Sequence, residues 1–296
     1  MKIKFWGVRG SIPSPGPATV KYGGNTTCIE VRTDSGELII LDAGTGIFPL
    51  SQSLFSEFPL VANIFNTHTH WDHIQGLPFF IPFFVPGNTV KIHGAVDPVS
   101  KKGISEILSA QLQYRFFPIR EAELKADIEY YSLEEGEKVT IGDAVVTPVL
   151  MNHPVTNFGY RIDCNGKSLF FTGDHEPLRN IYTQKEPEKR AKYKATMAQK
   201  NKAIMDVISG VDVLIADTSY TPEEYMQKIG WGHGTFDSSI QMAKEAKAKS
   251  LYCTHHEPTR SDKALEAVFA EALSRNTQYA IDEMCFLAYE GLEIEL

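Results

Sequence analysis

The stretch Asn66-Thr-His68-Thr-His70-Trp-Asp72-His73 places three imidazoles and a carboxylate within six residues, directly behind an apolar run. In an extended chain His68 and His70 alternate onto one side, while Asp72 and His73 lie in the turn that follows. Packed together without a cation, these groups would be desolvated and would repel one another. Imidazole nitrogens and carboxylate oxygens are the donors that Zn, Fe and Mn accept near neutral pH. An isolated HxH is as readily a solvated turn, but the complete HxHxDH argues for metal. Further donors fall at the ends of predicted strands: His153, Asp174 in a Thr-Gly-Asp turn, and His255 with His256 beside it. His68, His70 and His153 make one set of three donors, and Asp72, His73 and His255 a second. Asp174 remains as a carboxylate able to bridge. That count suits two divalent ions a few ångströms apart.

The elements that must position these residues are legible in outline. β-rich runs occupy 2–8, 27–33, 37–42, 61–66, 89–93, 138–141 and 145–150, then 158–163, 167–172, 211–216, 250–254 and 285–289. Residues 236–249 form an amphipathic helix with Phe236, Ile240 and Ala243 on one face and lysines toward its end, where cations suit the helix dipole. A second helix begins near Ser261 and stacks Leu265, Val268, Phe269 and Ala272. Strands and helices in both halves predict a mixed α/β (α+β) chain with two packed sheets covered by helices. No linker divides the chain, so a single domain over 1–296 is expected. Asn165-Gly166 between two strand runs predicts a two-residue hairpin. In that register Asp174 lies across from Asn157, close in space to His153.

Composition narrows the function classes. The 296 residues are 43% hydrophobic and 22% charged, which excludes wholesale disorder. The net charge of −8 is a poor match for a generic polyanion binder, so a nucleic-acid substrate would need a local basic patch. Cys28, Cys164, Cys253 and Cys285 are widely spaced with no CxxC, as expected of reduced, buried thiols in a cytoplasmic protein. The charged N-terminus leaves no room for a signal-peptide core. The greasiest run, 77–86 (LPFFIPFFVP), is about ten residues long and carries three prolines, so it cannot cross a bilayer core of about 30 Å. Its phenylalanines, 79, 80, 83 and 84, are expected to wall the pocket or to form an exposed patch favouring a homodimer.

HTHWDH, the later His153, the TGD aspartate and the strand-terminal histidine together resemble the metallo-β-lactamase superfamily, in order along nearly the whole chain. FWGVRGSIPSP, KYGGNTTC, LDAGTG and above all WGHGTF followed by YCTHHEP resemble the branch holding ribonuclease Z and small cyclic phosphodiesterases. The resemblance implies a four-layer αββα sandwich with a dinuclear site at the sheet edge. It also selects His255 over His256 as the ligand and implies a histidine acting on the leaving group, which falls on His233.

Two divalent cations, Zn first with Mn or Fe as alternatives, would supply a hydroxide nucleophile at cell pH. Asp72 can orient that nucleophile. His233 lies in Trp-Gly-His-Gly-Thr ahead of the helix at Phe236, with Thr235 as its N-cap, where a phosphate is welcome. There it can protonate a departing alkoxide. Asp42 is expected to accept from a ligand imidazole, and Asp217 to orient His233. Arg260 is a candidate phosphate anchor, although a surface arginine before a helix is the commoner case. His93 and His175 read as structural.

Ribonuclease Z proteins carry a long tRNA-gripping arm between the third metal histidine and the bridging aspartate. Here that interval is 21 residues and the hairpin fills it. The expectation is therefore a phosphodiesterase for a small or cyclic diester such as a cyclic nucleotide. An RNA 3′-end endoribonuclease is the alternative, followed by a thioester or lactam hydrolase. The lysine-rich segment 185–202 reads as a solvated helix face or an anionic contact.

Overall fold

The computed structural model describes residues 1–277 and 283–296. One sheet comprises β1 (Lys2–Gly7), β2 (Cys28–Arg32), β3 (Leu38–Leu41), β4 (Val61–Phe65), β5 (Thr89–Ala95) and β6 (Asp127–Leu133) in that order, with β14 (Glu293–Glu295) outside β1. The other comprises β7 (Val139–Ile141), β8 (Ala144–Met151), β9 (Asn157–Cys164), β10 (Lys167–Phe171), β11 (Val213–Asp217), β12 (Ser250–Thr254) and β13 (Cys285–Leu287), also in sequence order. Helices α1 (Ile47–Ser53), α2 (Trp71–Ile74), α3 (Ile104–Leu108), α4 (Pro187–Ile208), α5 (Pro222–Tyr225), α6 (Phe236–Glu245) and α7 (Asp262–Arg275) complete the described elements used below.

Three cores result. Ile3, Phe5, Val31, Ile39 and Phe65 of the first sheet meet Val146, Tyr160, Leu169 and Ile215 of the second. Outside the first sheet lie Ile47, Leu50, Ile74 and Ile104; outside the second, Ile208, Phe236, Ile240 and Leu265. This is the expected αββα sandwich. Strands covered on both faces read as unbroken apolar runs, and all four residues of β3 are buried.

Each sheet is antiparallel at one end and parallel at the other. β3 to β6 are parallel, as are β10 to β13. Parallel strands deliver their C-terminal ends to one edge, where open α/β sheets bind ligands. The Asn165-Gly166 hairpin has the predicted register, with Lys167 opposite Cys164 and Phe171 opposite Tyr160. Asn157 Nδ2 donates to the carbonyl of Asp174, so the hairpin does carry Asp174 to that edge.

Some expectations need correction. Phe80 and Phe83 are buried in the core outside the first sheet, so 77–86 is not the exposed patch expected; Phe79 is exposed and packs against Phe117. The prolines break this run into two short turns, and Phe80 and Phe83 point inward. The strands β6 and β14 lie outside the predicted runs. The lysine-rich segment, from residue 187 on, is the solvated helix face expected: it lies in α4, which buries only Ile204 and Ile208. All four cysteines are buried and none forms a disulfide. Among the described residues no helix is long and apolar enough to cross a membrane.

Candidate metal centre

The seven expected donors converge at the shared strand edge. His68, His70, His153 and Asp174 each offer an atom within 4.8 Å of the others, and so do Asp72, His73, His255 and Asp174. Asp174 belongs to both groups. Its Oδ2 lies 3.4 Å from His68 Nε2 and 3.9 Å from His153 Nε2, and its Oδ1 lies 3.2 Å from His73 Nε2 and 3.1 Å from His255 Nε2. Asp72 Oδ2 lies 3.4 Å from His73 Nε2 and 3.1 Å from His255 Nε2. A third overlapping group joins Asp174 and His255 to Asp217 and His233.

Local structure explains the convergence. The backbone leaves β4 at Asn66, whose carbonyl is held by the Tyr160 hydroxyl at 2.6 Å. It turns into the single helical turn α2, whose first residues are Trp71, Asp72 and His73. His255 follows β12 with φ +58, a conformation that swings its ring inward. His256 is aimed elsewhere: its Nε2 meets the Ala288 carbonyl at 2.8 Å.

His73, His233 and His255 are each fixed from behind. Asp42 Oδ2 lies 2.7 Å from His73 Nδ1 and also accepts from the Thr67 hydroxyl, while Oδ1 accepts from the Thr67 N–H at 2.7 Å. Asp217 Oδ2 lies 2.9 Å from His233 Nδ1. Sequence reading missed two further supports. The Ser219 hydroxyl lies 2.9 Å from His255 Nδ1, and the Ser11 N–H donates to Asp72 Oδ2 at 2.6 Å. Arg260 differs from expectation. It is buried, donating to the Ser219 carbonyl at 3.0 Å and to Glu224 at 2.6 Å, so its charge is spent inside the fold.

The electrostatics divide the cluster. Burial holds His68 well below its usual range and lowers His70 and His153. Burial would do the same to His73 and His255. There, however, the carboxylates outweigh it, pushing His73 well up and His255 to about 9. Asp72 and Asp174, although buried, are held well below the carboxylate range by the surrounding imidazoles. Asp217 and Asp174 likewise raise His233 against its burial.

His68 Nε2, His73 Nε2 and Asp174 Oδ1 are buried with no hydrogen-bond partner. Orphaned buried polar atoms are costly unless something binds them. All three point into the cluster, so the donor set fits divalent metal.

A family model for the beta-lactamase superfamily domain matches residues 38–256. The chain belongs to the metallo-β-lactamase superfamily. Among curated relatives, a protein named ribonuclease Z from Thermoplasma acidophilum is 24% identical, over 98% of this chain and 96% of its own. Among solved structures, the metallo-β-lactamase fold protein YhfI from Bacillus subtilis superposes with TM-score 0.67 at 18% identity, covering 100% of this chain and 98% of its own. Yeast PDE1 gives TM-score 0.65 at 16% identity, covering 100% and 99%. At those identities the structures show the fold, and the superfamily makes the chain a metal-dependent hydrolase.

Proposed function

We propose that the protein is a dinuclear metal-dependent phosphodiesterase for a small or cyclic phosphodiester, with the seven donors as ligands and Asp174 as the bridge. Two cations held there, zinc first among them, would lower the pKa of bound water and polarise the phosphoryl oxygen. Asp72, facing both His73 and His255, orients the attacking water. The observation that carries the diester reading is His233. Its ring lies beside the cluster, with Nδ1 on Asp217 and 3.7 Å from Asp174 Oδ2, and it is mostly buried. Asp217 favours the protonated ring, which suits a proton donor to a poor alkoxide leaving group. Thioester cleavage, which expels a good thiolate leaving group, makes no such demand.

A cavity of about 200 Å³ beside His68, lined by Asn66, Thr69, Val96, Ile107 and Val155, supports a small ester substituent. Ligand pockets for drug-sized molecules are typically larger, about 300–1,000 Å³. The second reading, an endoribonuclease trimming RNA 3′ ends, draws on the full-length similarity to proteins named ribonuclease Z.

Turnover of bis(p-nitrophenyl) phosphate and of cyclic nucleotides, abolished by chelator and restored by Zn or Mn, is the expected result. His233→Ala should lower kcat by about 10²–10⁴-fold with both metal ions retained. Cleavage of a precursor tRNA without turnover of small diesters would favour the second reading. Loss of metal together with activity in the variant would make His233 a ligand.

A further inference from the structure

The loop that carries His233 has little apolar anchorage. It runs over 226–234 between α5 and α6, and its large side chains Met226, Ile229 and Trp231 are all exposed. Lys228 ties its start to Glu257 at 3.3 Å. The stretch next to His233 is held by a carboxylate from another element. Glu176, two residues beyond Asp174, is buried. Its Oε1 accepts from the Tyr225 hydroxyl at 2.6 Å and the Gly230 N–H at 2.9 Å, and its Oε2 from the Gly232 N–H at 2.9 Å.

Glu176 is itself fixed to the chain before His153. Its N–H donates to the Asn152 carbonyl at 2.9 Å, and its carbonyl accepts from Asn152 Nδ2 at 2.8 Å. Gly232 is then gripped at its other end, where its carbonyl lies 2.9 Å from His153 Nδ1. Its φ of +93° and the 2.2 Å approach of His153 Nδ1 to any added Cβ leave room for glycine alone.

We propose that Glu176 is a positioning residue, whose buried carboxylate clamps the Gly230–Gly232 turn and so holds His233 against the metal cluster. Three donors converge on this one side chain, engaging both of its oxygens. The proposal rests on the reading of His233 as the group acting on the diester. Misplacing such a group by about 1 Å can cost about 10²-fold in rate.

The test compares wild type with Glu176→Ala and the near-isosteric Glu176→Gln, which keeps the protein testable if the alanine variant folds poorly. In zinc-loaded protein, kcat on bis(p-nitrophenyl) phosphate should fall about 10- to 100-fold in Glu176→Ala and less in Glu176→Gln. KM and the zinc content should stay at wild-type values. Amide exchange over 226–234 should quicken by about tenfold or more while α6 stays protected. Added to His233→Ala, Glu176→Ala should lower kcat no further, because both act through one ring.

Unchanged exchange over 226–234 would overturn the clamp. Faster exchange with kcat intact, or losses that multiply with those of His233→Ala, would overturn the link to His233. If wild type turned over no diester, the functional reading would fall, and the exchange measurement would still decide whether the clamp exists.

Discussion

Around Asp174, the half formed by His68, His70 and His153 has three imidazoles and reaches solvent through His70, whereas the half formed by Asp72, His73 and His255 is wholly buried and has a carboxylate of its own. Burial favours neutral rings in the first half; in the second, Asp174 first, then Asp72 with Asp42 and Asp217 behind the rings, outweighs burial and favours cationic ones. In the proposed reaction the open half is the one that would meet substrate. On His73 and His255 of the buried half, protons would compete with a metal ion for the same ring nitrogens.

The largest effect should come from removing what the halves share. Asp174→Ala should abolish binding of both ions and lower kcat by about 10³-fold or more, read by metal analysis beside the diesterase assay. Retention of one tightly held ion would show that the halves are independent.

Next, His255→Ala and His70→Ala should each leave one ion per chain but differ in the metal-free protein. Removing His255 strands Asp72 and Asp174 in a buried site, costing about 3 kcal/mol or more in denaturant unfolding. His70 faces solvent, and its loss should cost within about 0.5 kcal/mol. Equal costs would erase the distinction.

A subtler consequence is proton release. At pH 7, calorimetric titration with zinc in buffers of differing ionisation enthalpy should show about two protons released on filling the buried half and almost none on filling the open half. Equal release from both steps would contradict the assigned charges.

The smallest effect concerns pH. The folded value of His255, about 9, lies above the ordinary 6.5, so its contribution is complete below pH 6.5 and is lost as pH rises through 9. The Tm of metal-free protein should therefore decline across that interval. The zinc-loaded protein should not follow it.

Much of this site was legible because ligand chemistry concentrates donors: HxHxDH is dense, and His153, Asp174 and His255 each end a readable strand. The Asn-Gly hairpin defines a register from two residues, and that register places Asp174 near His153. Glu176, Ser11 and Ser219 were missed for the opposite reason. Each is a single polar residue in a loop, and Glu176 and Ser11 reach partners 54 and 61 positions away. Helix α4 gave no periodic signal because it is polar almost all round. Arg260 was misjudged because sequence shows charge but not the carbonyl waiting beneath it.

The account stands on two cations sharing Asp174. Anomalous diffraction at the zinc edge from crystals of the loaded protein tests that directly. Two peaks about 3.5–4 Å apart are predicted, one among His68, His70 and His153 and one among Asp72, His73 and His255, with Asp174 between them. A single peak, or a second one centred on His233 and Asp217, would contradict it.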